Sequence, residues 1–455
     1  MPRPRRHAPL RVLLNNRLVG QLTKAATGAI DFQYDQSWLE WEHALPVSLS
    51  LPLRDDAYRG EAVTAVFENL LPDSTALRRR VAEKVGAAGT DAYSLLAAIG
   101  RDCVGALQFI GLDEADEISP GTVRGQGVNE VAIEKLLRNL SQAPLGLSHD
   151  DAFRISVAGA QEKTALLRHR GRWLKPLGTT PTTHILKKQI GRLPNGIDLS
   201  NSVENEFYCL KLADAFGLPV NHAEIHTFGK TKALVIERFD RRWTKDKRLL
   251  RLPQEDCCQA LSIPPTRKYQ SEGGPGLVEI LKLLKGSDNP DADRKLVLKA
   301  QIYFWLIGAT DGHAKNFSIF LGPGGRFHLT PLYDVLTAQP SLDNGQIQRK
   351  QMKLSMSVGI NRHYRIHEIT GRHFLQTGKA AGLSKRVVLE MMEEMADTTL
   401  QAMEKVENEL PRNFPRSLHA SAKKGLTGRL KLLMVSSGER GNAQLARKTD
   451  RKIRR

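Results

Sequence analysis

The sequence predicts an α+β fold, on three observations. The segment up to about residue 110 mixes strand-like and helix-like patterns. The segment from Phe153 to Trp243 sets short apolar strands around one helix. Past Trp243 the apolar residues fall mostly at helical spacing, notably over Asp293–Ala309. At roughly 100–200 residues per domain, a chain of 455 residues has room for about two to four structural units.

The elements follow in order. Leu10–Leu14 and Arg17–Leu22 flank Asn15-Asn16, which reads as a hairpin. Pro72-Asp73-Ser74 opens an amphipathic helix from Ala76 to Val85. Cys103–Ile110 reads as a strand. The polar stretch Gly111–Asn129, with Pro120 and Gly121, is the best linker candidate. A helix carrying Val131, Ile133, Leu136, Leu137 and Leu140 comes next. Phe153–Val157 is strand-like, and Ala158-Gly159-Ala160 is a turn of small residues. Thr164–Arg168, Arg172–Lys175 and Thr183–Lys188 are strands. Ser202 caps a helix through Phe216 that Gly217 and Pro219 end. Ala223–Phe228, Ala233–Phe239 and Arg326–Thr330 are further strands. These breaks predict four segments: 1–147, 148–243, 244–435 and a basic tail, 436–455.

Composition narrows the class. Hydrophobic residues are 41% and charged residues 25%, so a wholly disordered chain is excluded. Apolar runs such as Ile302 to Ala309 fall far short of the ~18 residues a membrane span needs. Arg11 interrupts the apolar stretch after Arg3, Arg5 and Arg6, which makes a poor signal peptide. Cys103, Cys209, Cys257 and Cys258 form no C-x-x-C pair, so a disulfide framework or zinc site is unsupported and a cytoplasmic setting fits. The net charge of +18 sits largely at the ends. Residues 1–11 hold four arginines and no acid, and residues 421–455 hold eleven Lys/Arg against Glu439 and Asp450. Basic ends on a nearly balanced body suggest arms that touch phosphate, or a solubilising tail.

Several common motifs are absent. No intact P-loop, G-x-G-x-x-G or G-x-S-x-G occurs; Gly229-Lys230-Thr231 has the end of a P-loop, but Glu224 stands where its first glycine belongs. His363 and His367 have helical i, i+4 spacing, yet Glu368 follows the second histidine, which disfavours a zinc protease.

What remains is a constellation. In Asp311-Gly312-His313-Ala314-Lys315-Asn316, an aspartate and an asparagine stand at the D-x-x-x-x-N spacing of protein-kinase catalytic loops. There the aspartate orients the attacking hydroxyl or accepts its proton, and the asparagine oxygen binds Mg2+. Asp334, after Leu332-Tyr333 and a probable strand, stands where kinases place a second metal ligand, although Val335 replaces the phenylalanine of D-F-G. Lys187 lies in a strand, as a phosphate-pairing lysine must. Glu204 or Glu206, in the following helix, is its ion-pair partner or merely solvent-facing. The turn Ser156–Lys163 is small enough to pass over phosphates through its N–H groups. Each feature alone is commonplace; their occurrence in kinase order is not.

With these residues, the sequence resembles the HipA family of bacterial toxin serine/threonine kinases, from about residue 10 to about residue 435. The specific stretches are Phe67-Glu68-Asn69-Leu70-Leu71-Pro72-Asp73-Ser74, Arg154–Ala165, Glu237-Arg238-Phe239-Asp240-Arg241, Leu252-Pro253-Gln254-Glu255-Asp256 and Gly308–Phe317. The resemblance implies a bilobal protein-kinase-like fold with an added N-terminal α/β domain. It implies ATP under Ala158, Gly159, Ala160, Gln161, Glu162 and Lys163, with Lys187 on its phosphates and the adenine at Glu237, Arg238 and Phe239. Asp311 would be the catalytic aspartate. His313, Ala314, Lys315, Asn316 and Tyr333 would lie near the nucleotide, and Asn316 and Asp334 would hold Mg2+. Family members phosphorylate themselves on the serine matching Ser156, which switches them off, and phosphorylate glutamyl-tRNA synthetase, which slows translation and growth and gives persistence. A helix-turn-helix antitoxin, HipB, neutralises the toxin and binds operator DNA with it as corepressor. DNA contacts would come from Lys379, with Lys385 and Arg386 substituting for a basic residue expected near Gly382, or from the tail. The competing readings are a small-molecule or lipid kinase of the same fold and a non-catalytic DNA-binding corepressor.

Overall fold

The computed structural model describes residues 7–112, 114, 122–147, 153–159 and 161–434. The predicted tail 436–455 and Ala160 lie outside the described residues. The chain forms two compact units. One comprises Met1–Lys188, His222–Lys268 and Ser318–Thr330; the other comprises Gln189–Asn221, Tyr269–Phe317 and Pro331–Arg455. The units interleave along the chain.

The first unit holds two main antiparallel sheets. In one, β1 (Leu10–Leu14), β2 (Arg17–Lys24), β3 (Ile30–Tyr34), β4 (Tyr58–Arg59) and β5 (Leu107–Gly111) lie in the order β4-β3-β2-β1-β5. Asn15 and Asn16 turn the first hairpin with φ of 48° and 66°, the left-handed pair that a tight two-residue turn requires. The helix Thr75–Val85 is capped by the Ser74 hydroxyl and ends on left-handed Gly86. The predicted strand from Cys103 begins only at Leu107, because residues 103–105 are tied to an ion cluster described below.

The second sheet contains β6 (Gly125–Gly127), β7 (Lys163–His169), β8 (Arg172–Pro176) and β9 (His184–Lys188). Its order is Ala223–Phe228, Thr231–Glu237, β9, β7, β8, β6. The linker candidate thus contributes an edge strand. Asn129 caps the helix Glu130–Arg138, whose Ile133 and Leu137 pack with Leu166, Leu186, Phe228 and Val235 in one apolar layer. Phe153–Val157 forms no strand, a correction to the alternation read from its sequence. Its backbone is bound elsewhere, as the Ser156 N–H donates to the Asp102 carbonyl (3.0 Å).

The second unit is mainly helical. Ser202–Ala215 packs along Lys385–Glu409, and Pro290–Ile307 packs with Arg416–Leu433. Asn201, not Ser202, occupies the N-cap position of the first of these helices. Buried Trp305 donates to the Ile366 carbonyl (2.9 Å), and buried Tyr303 to that of Cys209 (2.6 Å), so these large side chains enter the core with their polar atoms satisfied. His363 lies in the strand His363–Arg365 and His367 in a 3-10 turn, so the two share no helix. Among the described residues, no helix is long and apolar enough to cross a membrane.

Candidate functional site

Two groups of residues carry the predicted chemistry, one in each unit. In the first unit the turn after Phe153 is held by the N-terminal segment. Ser156 is fully buried, and its Oγ donates to the Leu70 carbonyl (2.7 Å). The Asp73 N–H donates to the Gly159 carbonyl (3.3 Å). The stretch Phe67–Ser74, singled out as specific in the sequence, therefore grips the turn at both ends. Gly159 has φ of 104°, a conformation that disfavours any side chain, and a Cβ there would fall 2.6 Å from the mobile end of Lys163. Lys163 Nζ donates to the Ala158 carbonyl (2.7 Å). Gln161 Nε2 donates to the Lys188 carbonyl (3.1 Å), and Glu162 pairs with Lys188 (2.7 Å) and Arg80 (3.5 Å).

Lys187 on β9 is the register partner of Lys163 on β7, so the two lysines emerge side by side on one face. Both are buried. Glu237 ends its strand exposed, and Phe239 meets Phe320 edge-on at 5.6 Å.

The Arg238 guanidinium donates to both Asp240 oxygens (2.9 and 2.7 Å), to Thr182 Oγ1 (2.9 Å) and to the Cys103 carbonyl (2.9 Å). The side chain is thus a buried structural cation, which leaves its backbone for the expected adenine contact. Arg241 and Arg251 join the same cluster through Asp102, at 2.9 and 3.0 Å. Burial works to raise the Asp102 pKa, but the three guanidiniums overcome it and hold the carboxyl well below the usual range.

In the second unit the helix Pro290–Ile307 ends on Gly308, and the catalytic-loop candidate follows. Ser355 Oγ pins its start through the Thr310 carbonyl (2.7 Å). Gly312 packs against the Phe304 ring, where a Cβ would sit 2.5 Å from Cδ2. Asp311 is 65% exposed at its side chain, while His313 is buried, with Nε2 at 4.0 Å from Asp311 Oδ1. Asp311 Oδ1 also accepts from Tyr269 Oη (2.7 Å), and the Tyr269 ring meets His313 edge-on at 5.0 Å. Nothing in the sequence marked Tyr269.

Buried Asn316 accepts at Oδ1 from the His313 N–H (3.0 Å) and extends Nδ2 to within 3.5 Å of the Asp334 carbonyl. Lys315 is buried and its carbonyl accepts from Tyr333 Oη (2.6 Å), so Tyr333 and Asp334 are tied to the loop from both sides. Asp334 itself has φ of 59°, a left-handed conformation that costs a non-glycine residue about 1–3 kcal/mol and concentrates at functional sites. Glu204 and Glu206 are both buried, which corrects the solvent-facing alternative; Glu204 accepts from Gln189 Nε2 (2.6 Å).

The donor set suits a hard cation. Asn316 Oδ1 uses one lone pair on His313 and keeps a second, and the Asp334 carboxylate belongs to the residue beside it; oxygen donors of this kind are what Mg2+ takes. Among the described residues there is no group of three or more His, Cys, Asp or Glu able to hold a metal. A two-residue Asn/Asp site is not such a group.

Lys379 lies near the end of the helix Gly371–Ala380, and Lys385 and Arg386 begin Lys385–Glu409; all three are exposed. Gly382 has φ of 82°, unfavourable for any basic residue. Lys285 Nζ lies 3.7 Å from where its Cβ would be, so exposed Lys285 supplies a cation at that surface.

The sheets, the helical unit and the Asp311–Asn316 loop tied to Asp334 define an α+β chain of the kinase-like class with an N-terminal domain, and comparison with known proteins agrees. The HipA N-terminal domain family matches residues 10–110, and the HipA-like C-terminal domain family matches residues 155–403. The chain is 34% identical over 403 residues to the protein Y4mE of Sinorhizobium fredii (strain NBRC 101917 / NGR234), covering 87% of this chain and 91% of that one. It is 28% identical over 343 residues to the serine/threonine-protein kinase toxin HipA of Shewanella oneidensis, covering 72% and 75%. Among solved structures, it matches the Shewanella oneidensis MR-1 complex of HipA, HipB and operator DNA with a TM-score of 0.77 at 26% identity, over 93% of this chain and 96% of that one. The chain belongs to the HipA family.

Proposed function

We propose that this chain is an ATP-dependent serine/threonine-protein kinase and the toxin of a type II toxin–antitoxin system. The observation that carries the reading is the loop Asp311–Asn316 tied through Asn316 to Asp334, in a chain of this family. The nucleotide lies under Ala158–Lys163, with Lys187 on its phosphates and its adenine at Glu237 and Phe239. The acceptor serine Oγ attacks the γ-phosphorus, the bond to the β–γ bridging oxygen breaks, ADP leaves, and the serine proton passes to the Asp311 carboxylate. Asn316 and Asp334 would hold Mg2+, which would supply charge neutralisation to the transferring phosphate. His313, Ala314, Lys315 and Tyr333 shape the loop around them.

Autophosphorylation of Ser156 is the inactivating step. In the arrangement described here its hydroxyl is buried on the Leu70 carbonyl, so the turn must leave that position before the serine can react. A phosphate of about −1.5 to −2 charges could not then return to a site built around one short hydrogen bond. Its bulk and charge keep the turn out.

The protein substrate is glutamyl-tRNA synthetase, whose modification slows translation and growth and yields persistence. A HipB-like helix-turn-helix antitoxin neutralises the toxin, and the complex binds operator DNA as a corepressor, with Lys379, Lys385, Arg386 and Lys285 on phosphates. A cytoplasmic location fits four cysteines that are all buried and form no disulfide among the described residues. The test is transfer of labelled phosphate from Mg-ATP to purified glutamyl-tRNA synthetase, lost in Asp311→Asn. Turnover only with an added metabolite would favour a small-molecule kinase, and operator binding without nucleotide binding would favour a non-catalytic corepressor.

A further inference from the structure

The reaction above needs the Asp311 carboxylate in one orientation, yet that side chain is 65% exposed on a loop. An exposed carboxylate is oriented by the groups bonded to it, and Tyr269 is one of them. Its Oη donates to Asp311 Oδ1 at 2.7 Å, within the normal range for an O–H donor on a charged acceptor. The same ring lies edge-on against buried His313, at 5.0 Å and 79°.

Tyr269 is itself held through its neighbour within the same unit. Gln270, the following residue, accepts from the Ser357 N–H (2.7 Å). The backbone next to the tyrosine is therefore anchored, and its phenol is presented to Asp311 from a fixed segment.

We infer that Tyr269 is a positioning residue for phosphoryl transfer: its hydroxyl orients the Asp311 carboxylate toward the acceptor hydroxyl, and its ring fixes His313 beside it. This rests on Asp311 being the catalytic aspartate. The role is confined to the chemical step, because Tyr269 reaches the aspartate and its loop.

The test uses the purified full chain and Mg-ATP, following phosphate incorporation into the chain's own serine as a function of ATP concentration. Tyr269→Phe keeps the ring and removes only the hydroxyl. The expected result is a maximal rate reduced at least tenfold, a half-saturating ATP concentration within twofold of the parent, and an unchanged melting temperature. Tyr269→Phe at the parent rate, or faster, overturns the inference, the second because it would make the tyrosine an occluder. A loss expressed mainly as a raised half-saturating concentration also overturns it. Asp311→Asn, run alongside, separates the two levels of argument. If Asp311→Asn is inactive and Tyr269→Phe is normal, only the positioning role fails. If Asp311→Asn is active, the assignment of the catalytic aspartate fails and takes the positioning role with it.

Discussion

Asp102 and Arg251, 149 residues apart in sequence, form a buried ion pair at 3.0 Å, each side chain no more than 3% exposed. Around them, Asp240 pairs with Arg238 and Arg241, so two carboxylates serve three guanidiniums out of contact with water. The cluster joins the N-terminal domain to the strand end that carries Glu237. Buried ionic groups cost desolvation, and what they secure depends on every partner being present.

Removing one partner is therefore expected to be expensive. Asp102→Ala leaves three guanidiniums on one carboxylate and should cost about 3–5 kcal/mol. Adding Arg251→Met should recover part of that loss, since it removes an uncompensated cation. Urea denaturation of the single and double variants checks this; a double variant less stable than Asp102→Ala would contradict it.

Glu255 gives a pH dependence with a definite sign. It is buried, accepts from the Leu49 N–H at Oε1 (2.8 Å), and its Oε2 has no hydrogen-bond partner among the described residues. Burial pushes its pKa up from 4.5 to about 8. Below pH 4.5 the carboxyl is protonated in both folded and unfolded chains. Between 4.5 and about 8 the unfolded chain loses that proton while the folded one keeps it, so stability falls as pH rises, by about 1.4 kcal/mol per unit. Glu255→Gln keeps an acceptor for Leu49 and cannot ionise. Its unfolding free energy should show a smaller decline from pH 5 to 8 than the parent; identical slopes would contradict the assignment.

Asp334 should separate stability from activity. Its φ of 59° suits glycine better than aspartate. Asp334→Gly should melt no lower than the parent and yet lose phosphoryl transfer, whereas Asp334→Ala should lose transfer and about 1 kcal/mol of stability as well. Calorimetry with a phosphate-incorporation assay reads both. Retained activity in either variant would remove Asp334 from the proposed metal site.

The basic surface around Gly382 predicts a salt effect. For the proposed complex with an antitoxin and DNA, each phosphate contact removed lowers the slope of log affinity against log salt by about 0.9. Lys379→Ala, Lys385→Ala and Arg386→Ala combined should lower it by about 2.7, and Lys285→Ala should behave like any one of them. Slopes equal to the parent would place the DNA contacts elsewhere.

Local chemistry was legible in the sequence. The Asn15-Asn16 turn, the Ser74 cap and the helix leading to Asp311 depend on neighbours within a few residues, and the D-x-x-x-x-N spacing survives as a tied loop. Long-range commitments were not legible. Phe153–Val157 has a strand's alternation, but its backbone bonds run to Asp102 and not to a ladder. Arg238 sits in a motif that reads as nucleotide-binding, and only the fold reveals Asp102 beside it, 136 residues away. Tyr269 and Lys285 carry no local signal at all. Their proposed roles rest on what the fold brings to Asp311 and to Gly382.

The central claim is that Asp311 directs transfer of the ATP γ-phosphate to a serine. The most direct measurement is phosphopeptide mapping of the chain by mass spectrometry after expression, for the parent and for Asp311→Asn. The account predicts phosphate on Ser156 in the parent and none in the variant. Equal phosphorylation of Ser156 in both, or an unmodified parent after incubation with Mg-ATP, would contradict it.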